Sequence, residues 1–127
     1  MITKLKECKE QNKKVLLIGV SFALLDLVEE IDFPLNKNFI VMETGGMKGK
    51  RKELIRAELH LLLKKGLGVN QVYSEYGMTE LLSQAYSNRD GKFNQPAWMK
   101  ILIRDINDPL SYVKEGKTGG INIIDLA

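Results

Sequence analysis

Phe39-Ile40-Val41-Met42-Glu43-Thr44-Gly45-Gly46-Met47-Lys48-Gly49 is an unbroken apolar run that ends in a glycine-rich turn. Four consecutive apolar residues with no helical spacing read as a strand buried on both faces. Upstream, Val15-Leu16-Leu17-Ile18 has the same character and stops at Gly19; downstream, Val69 to Tyr76 is a third extended segment ending at Gly77. Between the first two runs, Phe22, Leu25, Val28 and Ile31 share one helical face over about 22 to 31. Ser21 is the expected N-cap there, and Pro34 and Asn36 mark the following turn. Between the second and third runs, a helix is expected from about Lys52 to Lys64, stopped by Gly66. Its apolar side holds Leu54, Ile55, Leu59, Leu62 and Leu63, and its polar side Glu53, Arg56, His60 and Lys64. Glu58 falls inside the apolar arc and needs a partner. Strands alternating with helical crossovers predict an α/β fold, with a mainly parallel, right-handed sheet over about residues 14 to 77.

Outside this stretch the pattern changes. Residues 2 to 13 read as a short charged helix. After Gly77 a β-rich segment is expected, with strands over Leu82 to Asn88, Met99 to Asp105 and Ile121 to Leu126. Asn107-Asp108-Pro109 and Gly116 to Gly120 supply its turns. No repeat or linker interrupts the chain, so residues 1 to 127 are expected to form part of one domain.

The chain has 127 residues, enough for one core and too few for two. With 44% apolar and 28% charged residues it has the composition of a globular protein, which argues against a disordered tail. The net charge of +3 is mild and its basic residues are scattered, giving no sign of nucleic-acid binding. Cys8 is the single cysteine, so no internal disulfide can form; with one histidine beside it, a zinc site of His and Cys ligands lacks its materials. The N-terminus is charged throughout and no apolar run is long enough to span a bilayer, so the expected location is the cytoplasm.

In an open parallel sheet, ligands bind outside the carboxyl ends of the strands. Those ends are Gly19-Val20-Ser21, Glu43-Thr44-Gly45-Gly46 and Glu75-Tyr76-Gly77-Met78-Thr79-Glu80. Glycine lets a base or phosphate approach the backbone, Thr79 offers a hydroxyl to phosphate, and Glu80 offers a hard oxygen ligand to Mg2+. A Walker loop does not fit, because Gly45 to Gly49 is one residue short and Arg51 stands where Ser or Thr would hold the metal. No dinucleotide fingerprint follows the first strand.

Tyr76-Gly77-Met78-Thr79-Glu80 is similar to the Y-G-x-T-E motif of the adenylate-forming ligases. Met42-Glu43-Thr44-Gly45-Gly46 stands where that superfamily has its adenine-facing glycine pair, and Gly116 to Leu126 resembles its later G-x-T-G-E-L stretch. The combination, closing on Ile123-Ile124-Asp125-Leu126-Ala127, looks most like the acyl-protein synthetases, the long-chain-fatty-acid–luciferin-component ligases and their relatives. The resemblance implies a fragment of the large N-terminal domain of such an enzyme, covering less than half of a family member. It implies that ATP and a carboxylic (fatty) acid give acyl-AMP and pyrophosphate, and that a thiol on a protein or CoA then takes the acyl group. By it, Gly45 and Gly46 lie against adenine and Tyr76 stacks on it. Thr79, beside Gly77, binds phosphate and Glu80 holds Mg2+. Thr79 and Glu80 are its catalytic pair.

The chain departs from the family in lacking the Ser/Thr/Gly-rich phosphate loop, the ribose-binding Asp and the lysine-bearing C-terminal domain, and Gly120 replaces a Glu. The piece alone is not expected to turn over. A non-catalytic α/β nucleotide-binding or assembly module is the competing reading. His60 reads as a surface residue, Cys8 as an ordinary thiol, and Lys48, Lys50 and Arg51 as solvated charges. Phe93 and Trp98 are expected to pack a turn over the sheet or to line an acyl channel. Missing neighbours would leave sheet edges and apolar faces bare, so self-association is expected.

Overall fold

Val15–Val20 (β1), Phe39–Thr44 (β2) and Val72–Tyr76 (β3) lie side by side, all parallel, in a computed structural model that describes residues 1–88 and 91–127. Two short antiparallel strands, Ala85–Ser87 (β4) and Phe93–Asn94 (β5), extend this sheet in the order β1-β2-β3-β4-β5. A separate antiparallel pair, Met99–Arg104 (β6) and Gly120–Asp125 (β7), follows. The mixed α/β architecture with a parallel core and a β-rich continuation agrees with the sequence reading.

Helices Ile2–Glu10 (α1), Ser21–Glu30 (α2) and Arg56–Leu67 (α3) complete the fold. The strands are laid down in one direction, so right-handed crossovers put α2 and α3 on the same face of the sheet. The two helices pack on each other and on the inward side chains Phe39, Val41 and Val72. Leu24, Leu25, Leu27, Leu59, Leu63 and Leu67 fill that core from above, and Met47 plugs it at the end of β2. The strands are therefore not buried on both faces as expected. Leu16, Ile18 and Ile40 are 57%, 48% and 50% exposed on the opposite face, which no helix among the described residues covers.

The helix ends differ from expectation. Helix α2 begins at Ser21 itself, whose hydroxyl turns inward instead of capping. Helix α3 begins at Arg56, four residues later than predicted, because Arg51 ties the preceding loop to α2. Its Nη1 lies 2.7 Å from Glu29 Oε1 and its Nε 3.0 Å from Asp26 Oδ1. Leu59, Leu63 and Leu67 form the buried stripe, leaving Glu58, Ile55 and Leu62 exposed, so Glu58 needs no partner. Gly66 lies within α3 and allows close contact with α2. The stop is Gly68, in the left-handed conformation at φ +67°.

A β-carbon on Gly66 would stand 2.2 Å from Val28 Cγ1. Val28 is β-branched and turns poorly, so Gly66→Ala is expected to lose about 1–2 kcal/mol of stability despite a better helix propensity. Chemical denaturation checks this, and Val28→Ala on the same chain should restore most of the loss. The open apolar face predicts self-association at high concentration, read by light scattering. Leu16→Lys with Ile40→Lys should return the chain to a monomer.

Candidate functional site

The register sets which groups meet at the carboxyl edge. Gly19, Glu43 and Ser74 are cross-strand neighbours, and so are Val20, Thr44 and Glu75 one residue further on. Side chains alternate in a strand, so Glu43 and Ser74 point under the helices while Thr44 and Glu75 point to the open face. Gly45 follows directly on β2, and Gly77 directly on β3. The two predicted loops thus leave adjacent strand tips at one edge. The third does not exist as a loop, because β1 passes straight into α2 at Ser21.

Gly45 takes φ +66°, a conformation a side chain rarely adopts, and redirects the chain outward. The turn is anchored by the buried Met47 and closed by Lys50 N–H donating to Met47 O at 2.8 Å. No atom lies within 4 Å of where a β-carbon on Gly46 would be, so this glycine faces open space. Gly77, Met78, Thr79 and Glu80 are exposed, with Thr79 and Glu80 the central residues of a turn closed by Leu81 N–H on Met78 O at 3.0 Å. Tyr76 lies half-buried on the helix face. Its ring meets Phe93 edge-on, centroids 6.2 Å apart, and Arg56 covers Phe93 with its guanidinium carbon 4.7 Å from the ring centre. Phe93 thus packs against Tyr76 rather than merely over a turn.

Beneath the glycine turn is a polar cluster that sequence reasoning missed. Glu43 is 4% exposed and accepts a hydrogen bond from Ser21 Oγ at 3.2 Å. His60 Nε2 and Arg56 Nε each stand 3.5 Å from Glu43 Oε1. The same His60 nitrogen is 3.0 Å from Ser74 Oγ, and the Ser74 amide donates to Ser87 Oγ at 2.8 Å. Both contacts of His60 use one nitrogen, so this is not a nucleophile–base–acid relay, in which the base would use both. His60 is therefore not a surface residue: burial of the Leu59, Leu63 and Leu67 stripe brings the flanking position 60 against β2 and β3, where it meets Glu43 and Ser74. The signal available in sequence was Glu43 itself, an acid at an inward strand position that required partners.

Burial alone would raise the Glu43 carboxyl, but hydrogen bonds from His60, Ser74 and Ser21 and the charge of His60 hold it below the usual glutamate range. On the open side, Thr44 Oγ1 donates to Glu75 Oε1 at 2.9 Å. Arg51 is engaged by Asp26 and Glu29, which keeps it above its ordinary range and away from the strand tips.

A second tie holds the far end of the Thr79–Glu80 loop. Leu82 and Ser83 amides donate to Asp125 Oδ2 at 3.0 and 2.8 Å, and Ser83 Oγ donates to Oδ1 at 2.9 Å. Trp98 Nε1 donates to Ser83 Oγ at 2.7 Å. This explains why β4 starts only at Ala85 and not at Leu82. Gly120, at the start of β7, makes room for Arg104, whose guanidinium carbon is 2.8 Å from the place of a β-carbon.

Clefts open on both faces of the sheet. One of about 610 Å3 lies beside the Thr79–Glu80 loop, lined by Tyr73, Leu82, Tyr86, Pro96 and Trp98 among others. Another of about 730 Å3 lies on the helix face, between Arg56, His60 and Lys64 of α3 and Asn70 to Val72. It opens at the start of β3, away from the glycine turns.

The fold defined by this sheet and its crossovers has a counterpart among solved structures. It is similar to apo MatB from Rhodopseudomonas palustris, with a TM-score of 0.70 and 15% identity over 98% of this chain. The chain spans 24% of MatB's length. No family model and no curated protein matches the sequence. No helix among the described residues is long and apolar enough to cross a membrane.

Because Glu43 is held low in the folded state, its contribution is present above the unfolded glutamate pKa and is lost as pH falls through the folded value. Stability measured by denaturation should therefore fall on the acid side of pH ~4.3. Glu43→Ala should flatten that decline and cost about 1–3 kcal/mol at neutral pH by leaving the buried Ser21 hydroxyl and His60 without their acceptor, the half-exposed Arg56 being free to turn to water.

Proposed function

We propose that this chain is the nucleotide-contacting part of an adenylate-forming acyl ligase, and within that superfamily of the acyl-protein synthetase kind. The enzyme of which it forms part activates a carboxylic acid, in this reading a fatty acid, with ATP and Mg2+ as acyl-AMP, for transfer to a thiol on a protein or on CoA. The observation that carries the reading is the adjacency of the Gly45-Gly46 turn and the Tyr76–Glu80 loop at neighbouring parallel strand tips. The fold similarity to MatB, an adenylate-forming ligase, supports it at the level of the superfamily.

In this reading adenine lies over Gly45 and Gly46, where no side chain intervenes, with Tyr76 stacking on it. The exposed Thr79 hydroxyl donates to a phosphate oxygen. The Glu80 carboxylate takes Mg2+, whose charge offsets the negative charge that grows as pyrophosphate leaves. In this reading the acyl group lies in the cleft lined by Tyr73, Leu82, Tyr86, Pro96 and Trp98. The residues present fit ATP and Mg2+ in donor type: two open glycines, a hydroxyl and a hard oxygen ligand.

Titration calorimetry tests the proposal. The chain should bind ATP more tightly with Mg2+ than without it, and Glu80→Gln should remove that difference while leaving metal-free binding intact. Gly46→Val should weaken both by about tenfold, as a side chain enters the space left for the base. Equal binding with and without Mg2+ would count against the site. Acid-dependent exchange of labelled pyrophosphate into ATP, by the polypeptide that carries this chain with any flanking sequence, separates a ligase from a module that only binds nucleotide.

A further inference from the structure

Among the described residues, every side-chain hydrogen bond that joins the β6–β7 hairpin and its flanks to the five-stranded sheet passes through Leu82 and Ser83. Asp125, the last residue of β7, gathers two successive amides and a hydroxyl from them, and a fourth donor, the Ala127 amide, at 3.2 Å. Trp98, just before β6, completes the clasp through the Ser83 hydroxyl, and Ser83 is only 6% exposed. Amides donating in pairs to an ionised carboxylate make a directional and comparatively strong contact.

The place of this clasp along the chain gives it a second consequence. The turn from Met78 to Leu81 presents Thr79 and Glu80, is exposed, and has one backbone hydrogen bond of its own. Strand β3 fixes it at Tyr76 on one side. On the other side its first fixed point is the pair of amides at Leu82 and Ser83. A short exposed turn pinned at both ends has few conformations left, and a group that must meet a metal ion benefits from that restriction.

We propose that Asp125 is a positioning residue: through Leu82 and Ser83 it fixes where the Met78–Leu81 turn presents Thr79 and Glu80 to the metal-bound phosphates of a nucleotide. The β6–β7 hairpin is then a strut for the loop. Its carboxylate touches neither nucleotide nor metal. The part that concerns nucleotide rests on the function proposed above, and the part that concerns the turn does not.

The experiment uses the 127-residue chain, unsubstituted and as Asp125→Asn, which keeps the size and one carbonyl acceptor, with Trp98→Phe as a milder second variant. Amide hydrogen exchange is read first, without ligand. In Asp125→Asn the amides of Leu81, Leu82 and Ser83 should exchange about tenfold faster or more, as expected for loss of hydrogen bonds to a charged group, while Val41 and Val72 keep their protection. Trp98→Phe should move the same three amides by less. An unchanged Leu81 would mean that the turn stands without the clasp and would overturn the proposal. Equal loss at Val41 and Val72 would assign Asp125 to general stability and overturn it too.

Calorimetry is read second. The ratio of ATP affinities with and without Mg2+ should shrink in Asp125→Asn by about tenfold, whereas a purely structural residue would leave that ratio alone. An unshrunk ratio would overturn the link to the metal. If the unsubstituted chain shows no Mg2+-dependent binding, the nucleotide reading fails, and exchange at Leu81 alone decides whether the clasp exists.

Discussion

The handedness of the crossovers governs this molecule. Three parallel strands laid down in one direction, joined by right-handed connections, must carry both crossover helices on one face and deliver their carboxyl ends to one edge. The core follows, because only that face is roofed. So does the exposure of Leu16, Ile18 and Ile40 on the other face, against which none of the described helices packs. The loops of interest also follow, since the turns after β2 and β3 become neighbours whatever their sequences.

That geometry creates one conflict, and the polar cluster resolves it. Glu43 must point under the helices because the register places it on the inward side of β2. A buried carboxylate is costly unless charged or hydrogen-bonding groups surround it. Ser21 from the first turn of α2, Arg56 and His60 from α3, and Ser74 from β3 converge on it. These groups come from α2, α3, β2 and β3, so the cluster sets how two helices and two strands sit just beneath the Gly45 turn.

The loops are held by three different means. Met47 anchors the glycine turn by burial, Arg51 fastens the following segment to α2 by ion pairs, and Asp125 fastens the end of the Thr79–Glu80 loop by hydrogen bonds. Thr79, Glu80 and Gly46 are left exposed between these fixed points. Similarity to MatB at 15% identity speaks to the fold of this arrangement; the chemistry assigned to it is argued from the residues at the strand tips.

The amino-acid sequence determined the order of strands and helices up to Tyr76, because apolar runs and helical spacing are local patterns set by backbone geometry. It also determined the glycine and acidic residues at the strand tips, since each turn is written in adjacent positions. Tertiary structure alone decided which apolar residues would be covered, as that depends on the side each crossover takes. It decided that α3 would start at Arg56, through an ion pair between Arg51 and a helix more than twenty residues earlier. It turned His60 inward and joined Asp125 to Ser83, 42 positions apart. Contacts of that kind leave no periodic trace in a sequence, because they arise only when distant segments are brought together by the packing of the whole chain.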